Sequence, residues 1–434
     1  MKLTILDPGH FHAALLQKSM VADIDPTVHV YADEGPELRD YVSRVESFNH
    51  RPDDPTRWQL VIHASPDFLE RFIADRASGA AGEIVVIAGN NRRKTEYLTR
   101  AIAAGFHVLA DKPMAIDADG FRLLEQAFAN AGSNGLLLYD IMTERHEITT
   151  LLQKAFAALP PVFGELATGS EEDPAVTKES VHHFAKQVSG SPLKRPAWFF
   201  DTAQQGEGIV DVTTHLVDLV QWACFPDQAI DYRNDIRIVG ARRWPTAISQ
   251  AQFDEVTGLQ RFPDFLRKDV GADGKLHVHA NGEIRYRIRG VHAKVSVHWN
   301  FAAPAGGDTH FSILRGTRAN LVIRQGEAQS WQPVLAIEPR DSANTAGLES
   351  ALQRALPAVQ QAYPGIDLKR AGAGWDVVVP ASFHVGHEAH FGQVADEFLR
   401  YVKRGSLPAW EVSNLLAKYY TTTSALALAL ARPA

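Results

Sequence analysis

The stretch Gly105-Phe-His-Val-Leu-Ala-Asp-Lys-Pro-Met-Ala-Ile116 decides how the chain is read. His107-Val-Leu-Ala110 is an apolar run of strand length, and Pro113 removes a backbone donor while biasing Lys112 toward an extended conformation. A lysine held at the carboxyl end of a strand stands where open α/β sheets place ligand chemistry. On residue statistics alone a turn lysine is more often simply solvated. The surrounding pattern therefore has to give Lys112 its meaning.

Working outward, Leu3 to Leu6 reads as a first strand, Asp7-Pro-Gly9 as a tight turn, and His10 to Met20 as a helix. Val28 to Asp33, Leu60 to Ala64 and Glu83 to Ala88 read as further strands. A helix from about Lys94 to Ala104 then leads into the strand before Lys112. Strands alternating with helices of ten or so residues predict right-handed crossovers and a doubly wound parallel sheet, a Rossmann-type α/β fold. Leu136 to Asp140 reads as its last strand, which divides the chain into a domain of residues 1–146 and a second of residues 147–434. In the second, Leu276 to Ala280, the hairpin signal Asn281-Gly282, and Ile284 to Ile288 predict an antiparallel sheet. The expected class is thus α/β, a parallel Rossmann-type domain followed by a domain with an antiparallel sheet.

Composition narrows the partners. The chain has 434 residues, of which 45% are hydrophobic and 22% charged, and a net charge of -7 without a basic run argues against nucleic acid. Its single cysteine, Cys224, excludes a disulfide framework and a zinc-cysteine site. No stretch is apolar enough for a membrane span, and the opening residues pass directly into a strand pattern, so a cytoplasmic protein is expected.

A dinucleotide site needs a glycine-rich first turn and an acid after the second strand. If G-x-G-x-x-G is laid on Asp7-Pro-Gly-His-Phe-His12, only Gly9 matches. Asp7 puts negative charge near the phosphates, or caps the following helix, and His12 adds bulk. Gly9, His10 and Phe11 are the candidate pyrophosphate contacts. Asp33 is the candidate ribose contact and favours NAD over NADP by repelling a 2′-phosphate.

Ile84-Val-Val-Ile-Ala-Gly-Asn-Asn91 through Ala104-Gly-Phe-His-Val-Leu-Ala-Asp-Lys-Pro113 resembles the glucose-fructose oxidoreductase, inositol dehydrogenase and rhizopine-catabolism family (Gfo/Idh/MocA). Asp111-Lys112-Pro113 stands for that family's Glu-Lys-Pro. Asn91 matches the asparagine of its Thr-Pro-Asn-x-x-His, whereas Gly89, Asn90 and Lys94 depart from it. The block Gln205-Gly-Glu-Gly208-Ile-Val-Asp211-Val-Thr-Thr-His215-Leu-Val-Asp218 resembles the family's Gly-Gly-Gly-x-x-x-Asp-x-x-x-His-x-x-Asp, with Glu207 in place of the middle glycine. A helix starting near Gly208 would align Asp211, His215 and Asp218 on one face.

The resemblance implies a C-terminal α/β domain built on a large, open, mostly antiparallel sheet, and a bound nicotinamide cofactor, NAD before NADP, with Asn91, Asp111 and Lys112 near it. It also implies that Lys112, Asp211 and His215 serve catalysis on a secondary hydroxyl of a sugar, polyol or glycoside. His215 would take the hydroxyl proton, Lys112 would stabilise the alkoxide, and Asp211 would orient a neighbouring group. The structural alternative for Asp211 and His215 is an ordinary helix start with acids at its dipole end.

His182, His183, Lys186 and Trp198 combine donors, cations and aromatics, as recognition of a polyol requires, or else form a loop packed on the sheet edge. His384, His387 and His390 recur every three residues. They could line a cleft, satisfy backbone or carboxylate partners, or bind a metal together with a carboxylate such as Glu388. No metal ligand set is assigned on spacing alone. An open second sheet invites pairing of subunits into a homodimer or homotetramer. Two alternatives carry different chemistry: an NAD-retaining glycosidase acting through transient oxidation, and a non-catalytic relative with weakened dinucleotide binding.

Overall fold

A computed structural model describes residues 1–79, 83–188, 191–303 and 307–431. The chain divides into two compact units, one of residues 1–143, 196–206 and 386–412, the other of residues 144–195, 207–385 and 413–434.

The first unit is organised on six strands, β1 (Leu3–Leu6), β2 (Thr27–Ala32), β3 (Gln59–Ala64), β4 (Ile84–Ile87), β5 (His107–Asp111) and β6 (Leu138–Ile141). They pair in the order β3-β2-β1-β4-β5-β6, every pair parallel. β1 and β4 are buried along their whole length, as apolar runs flanked by helices on both faces of a parallel sheet should be. The order reverses at β1, the point where open parallel sheets place a ligand crevice, beside the loops after β1 and β4.

Those loops cross tightly. A Cβ built on Gly89 would lie 2.1 Å from the Asp7 carbonyl oxygen, so only glycine fits, and Asp7 adopts φ +51° in the left-handed region. The expected helix from His10 to Met20 is shorter, with α-helical backbone over His12–Leu15 only. Trp58 Nε1 donates to the Gln17 carbonyl at 2.8 Å, which anchors the chain where that helix would have continued.

Two segments beyond a boundary at residue 146 belong to this first unit. Residues 196–206 are tied to the loop after β4 by side-chain amides: Asn91 Nδ2 donates to the Gln205 carbonyl at 2.7 Å, and Asn90 Nδ2 to Gln204 Oε1 at 2.8 Å. The helix His387–Arg404 lays Phe398 parallel to the buried Tyr139 of β6, ring centroids 6.2 Å apart, with Tyr401 edge-on at 5.7 Å. Aromatic packing of this kind adds about 0.5–1.5 kcal/mol beyond burial. Neither tie is visible in local sequence.

The second unit is organised on a nine-stranded sheet: β7 (Val176–Ala185), β8 (Ile236–Ile248), β9 (Leu276–Ile288), β10 (Val291–Ala302), β11 (Thr309–Arg315), β12 (Ala319–Gln325), β13 (Val334–Pro339), β14 (Asp367–Ala371) and β15 (Gly374–Val378). Their order is β8-β9-β10-β7-β11-β12-β13-β15-β14, antiparallel except where β10 meets β7. The expected mostly antiparallel sheet is present, but its first hairpin lies elsewhere. Asn281-Gly282 runs straight through β9, and the turn falls at Arg289-Gly290, both at positive φ.

Asn281 is there for its side chain: Nδ2 donates to the Trp244 carbonyl at 3.0 Å, and Oδ1 accepts from Trp299 N at 2.8 Å. Gly282 is there because Ile209 presses on it, leaving 2.6 Å to a Cβ. Gly208 is tighter still, since a Cβ would meet the Ala280 carbonyl oxygen at 1.8 Å. Gly208→Ala should therefore destabilise the protein by about 1–3 kcal/mol or more. Gly132→Ala, in the helix Ala118–Ser133 with nothing within 4 Å of its Cβ position, should stabilise it by about 0.5–1 kcal/mol. Thermal melts of the two variants check this, and equal shifts would refute the close-approach account.

Candidate functional site

At the carboxyl ends of β1 and β2 lies a cleft of about 490 Å³ whose walls include Asp7, Gly9, Asp33, Arg93, Trp198 and Gln204. Two sequence candidates for cofactor contact, Gly9 and Asp33, thus share one crevice. His10 and Phe11 are not among its lining residues. Trp198, expected to meet substrate, is placed here instead: its ring would lie 3.6 Å from a Cβ on Gly9.

The cleft is acidic along one wall, with Asp7, Asp33, Glu34 and Glu37. Burial, reinforced by Glu37, pushes the Asp7 carboxyl up to about 6. Across from the acids, Arg93 is bound to Glu96 through Nε at 2.9 Å and Nη2 at 3.1 Å.

The end of β5 is fixed from three sides. His12 Nδ1 donates to Asp111 Oδ2 at 2.9 Å, and His10 Nδ1 lies 3.6 Å from the same oxygen. The buried Lys94 ammonium donates to the Asp111 carbonyl at 3.0 Å and to Asn91 Oδ1. Thr95 Oγ1 donates to the Met114 carbonyl at 2.7 Å just beyond the cis Lys112–Pro113 peptide. Burial raises the Asp111 carboxyl, but the His12 imidazole and the Lys94 ammonium outweigh it and hold the group well below the usual carboxylate range. Burial in turn lowers His12. Asp111 and Asn91 are therefore buried braces for the strand end, and Lys112, partly exposed, is the residue they present.

Lys94 escaped the sequence analysis as a departure from the histidine of a motif. Its position at the start of the helix Lys94–Ala103, three residues after Asn91, was the available signal.

In the second unit the helix bearing His215 spans Thr213–Cys224, later than expected, with helical turns before it. The Asp211 amide donates to the Glu207 carbonyl at 3.0 Å, and the Thr214 hydroxyl to the Val210 carbonyl at 2.8 Å. Glu207, where the resemblance predicts glycine, is gripped by Arg243 of β8 through two bonds of 2.6 and 2.7 Å. A bidentate Arg–carboxylate pair fixes direction as well as charge. It orients the turn that carries Asp211.

Asp211 is buried and His215 partly exposed, whereas Asp218 is enclosed. Asp218 receives Arg145 through two bonds of 2.7 Å and Lys418 at 2.9 Å. Burial raises its carboxyl, but the two cations hold it far below the usual range. This triad braces the helix from its inner side.

His182, His183 and Lys186 converge on one acid that no motif marks, Asp308, at 3.3, 2.9 and 3.4 Å. Burial raises Asp308, yet His182, Lys186 and His183 together draw it well below the carboxylate range. The His182 ring stacks on Trp299, centroids 5.1 Å apart and 26° between planes, and the Arg195 guanidinium lies 5.3 Å from the same indole. Arg195 also donates to the carbonyls of Phe184 and His183 at 2.8 and 3.1 Å. His183 is buried, which leaves His182 and Lys186 as the more open members.

No helix among the described residues is long and apolar enough to cross a membrane. No curated protein sequence matches the chain. Residues 152–430 match the family described as "Putative oxidoreductase C terminal domain". A crystal structure described as a "putative oxidoreductase" from Parabacteroides merdae is 52% identical, covers 100% of this chain and 98% of that one, and superposes with a TM-score of 0.96.

Levoglucosan dehydrogenase in complex with NADH is 14% identical, with 99% and 97% of the two chains covered and a TM-score of 0.62. A 3-ketoreductase from Actinomadura kijaniata, in complex with TDP-benzene and NADP, is 16% identical over 99% and 97%, with a TM-score of 0.56. At these low identities the last two show a shared fold. The first two findings go further, because the family match spans more than half of the chain: the chain belongs to the oxidoreductase family that this C-terminal domain defines.

Proposed function

We propose that the protein is an NAD-dependent oxidoreductase of the Gfo/Idh/MocA type, which moves a hydride between nicotinamide and a secondary hydroxyl of a sugar, polyol or glycoside. The observation that carries this is the cleft at the sheet's reversal point, where Gly9 and Asp33 line one crevice. It stands where open parallel sheets hold dinucleotides. The levoglucosan dehydrogenase and 3-ketoreductase structures, with their NADH and NADP, support the same class of cofactor.

Gly9 and the tight crossing at Gly89 would receive the pyrophosphate, and Asp33 the ribose hydroxyls. An acid at that point disfavours the 2′-phosphate of NADP. The bound cofactor supplies a hydride acceptor at its nicotinamide ring. The chain's own groups manage the proton and the oxygen. We assign His215 to take the hydroxyl proton, since imidazole titrates near neutrality. Lys112 holds the substrate oxygen and offsets the charge that develops on it. Asp211 orients a neighbouring hydroxyl or the imidazole. We assign His182 and Lys186, held by Asp308, to further hydroxyls.

Lys112→Ala and His215→Ala should each lower turnover by about 10²-fold or more while leaving NAD affinity nearly unchanged. Near-normal turnover in either variant would remove that residue from the chemistry. Asp7 adds a pH dependence. Its carboxyl is raised, so it is neutral below about 6 and charged above, and a carboxylate there repels phosphate. NAD affinity should fall as pH rises through 6, by roughly tenfold for one nearby like charge. Asp7→Asn should abolish that fall, and calorimetric titrations with NAD and NADP at pH 5 and 8 measure both effects. No binding of either dinucleotide at millimolar concentration would overturn the proposed function.

A further inference from the structure

Two stretches of the first unit bring nitrogen and oxygen donors to one place outside the lining of the dinucleotide cleft. His10 and His12 come from the turn after β1, and Asp111 from the end of β5. One ligand atom from each of the three lies within 4.8 Å of the others. The closest approaches to Asp111 Oδ2 are 2.9 Å for His12 Nδ1 and 3.6 Å for His10 Nδ1. Donors at about 2.0–2.2 Å from one tetrahedral ion are separated by roughly 3–3.5 Å, so the cluster needs only small adjustments to share an ion.

A further imidazole stands nearby, outside the group of three. The helix His387–Arg404 places the His387 ring 6.4 Å from that of His12, and Phe391 of the same helix packs on His12 with centroids 4.6 Å apart. Glu388, the carboxylate that spacing offered to the histidine series, is instead paired with Lys18. The nearby Lys94 ammonium is directed to the Asp111 backbone carbonyl and to Asn91, which leaves the Asp111 carboxylate to the imidazoles.

We propose that His10, His12 and Asp111, with His387 adjacent, form a binding site for a divalent first-row transition-metal ion. Two imidazoles and a carboxylate suit zinc, iron and manganese rather than magnesium or calcium. Three protein ligands leave a coordination position open to His387 or to a small molecule. The ion is bound immediately before Lys112 in the chain, so it stiffens the strand end that presents this lysine. The site lies wholly within the first unit, and its existence does not depend on the oxidoreductase reading.

The test uses the full chain without an affinity tag, stripped with EDTA and titrated with Zn²⁺ by calorimetry. One ion per chain should bind, with a Kd below about 1 μM, equivalent to roughly -8 kcal/mol. His10→Gln, which retains the His12–Asp111 contact, should weaken binding by at least the roughly 10–100-fold that outer-shell changes cost. Asp111→Asn should weaken it further.

X-ray absorption at the zinc edge of the wild-type protein needs no variant, and should show at least two imidazoles with an oxygen donor. Binding weaker than about 0.1 mM, an all-oxygen shell, or affinity unchanged in both variants would overturn the site. The last outcome would assign the zinc to another of the chain's 18 histidines. Dinucleotide titration of the stripped protein is read separately, so failure of one proposal leaves the other standing.

Discussion

The first unit depends on how the end of β5 is held. Asp111 is a buried charge, and a buried carboxylate costs several kcal/mol unless its oxygens are met. His12 meets the carboxylate, and Lys94 meets the carbonyl of the same residue. Lys94 is a second buried charge, satisfied by Asn91 and by that carbonyl. Removing any one of these groups leaves another buried without its partner, which is the costly case. The consequence is a strand terminus with little freedom, and Lys112 is its next residue. A long flexible side chain becomes a usable positive charge when its backbone is fixed in this way.

The same principle recurs in the second unit with different residues. Glu207 and Arg243 fix the turn before the His215 helix, and Asp218 with Arg145 and Lys418 fixes the helix from within. Asp308 gathers His182, His183 and Lys186. In each case a buried or half-buried acid is surrounded by cations or imidazoles drawn from distant segments. Two departures from the motifs that the chain resembles have partners of their own: Glu207 for glycine meets Arg243, and Lys94 for histidine meets Asn91 and the Asp111 carbonyl.

Much of this was legible in sequence. The parallel strands announced themselves through apolar runs of strand length, because both faces of such a sheet are covered. Lys112, Asp211 and His215 stand out only through the resemblance to the motifs of a known family. Partners across long sequence separations were not legible. Nothing local to Asp308 indicates three cationic neighbours, and nothing near residue 198 or 387 says that those segments pack with the first unit. Asn281-Gly282 misled for a clear reason: its usual meaning is conformational, whereas here the asparagine serves as a hydrogen-bonding side chain and the glycine as space for Ile209. His12 reads as bulk in a glycine-rich turn and His10 as a pyrophosphate contact, whereas the structure sets both imidazoles against the Asp111 carboxylate.

Under the proposed function, hydride passes between a carbinol carbon of a sugar and a nicotinamide held by this chain. The most direct measurement is a single-turnover reaction of the NAD-loaded protein with a panel of sugars and glycosides deuterated at their ring carbinol carbons, followed by mass spectrometry of the recovered dinucleotide. At least one substrate should deliver its deuterium to C4 of the nicotinamide, and His215→Ala should abolish the transfer. Dinucleotide that stays unlabelled with every substrate, while bound to the folded protein, would contradict it.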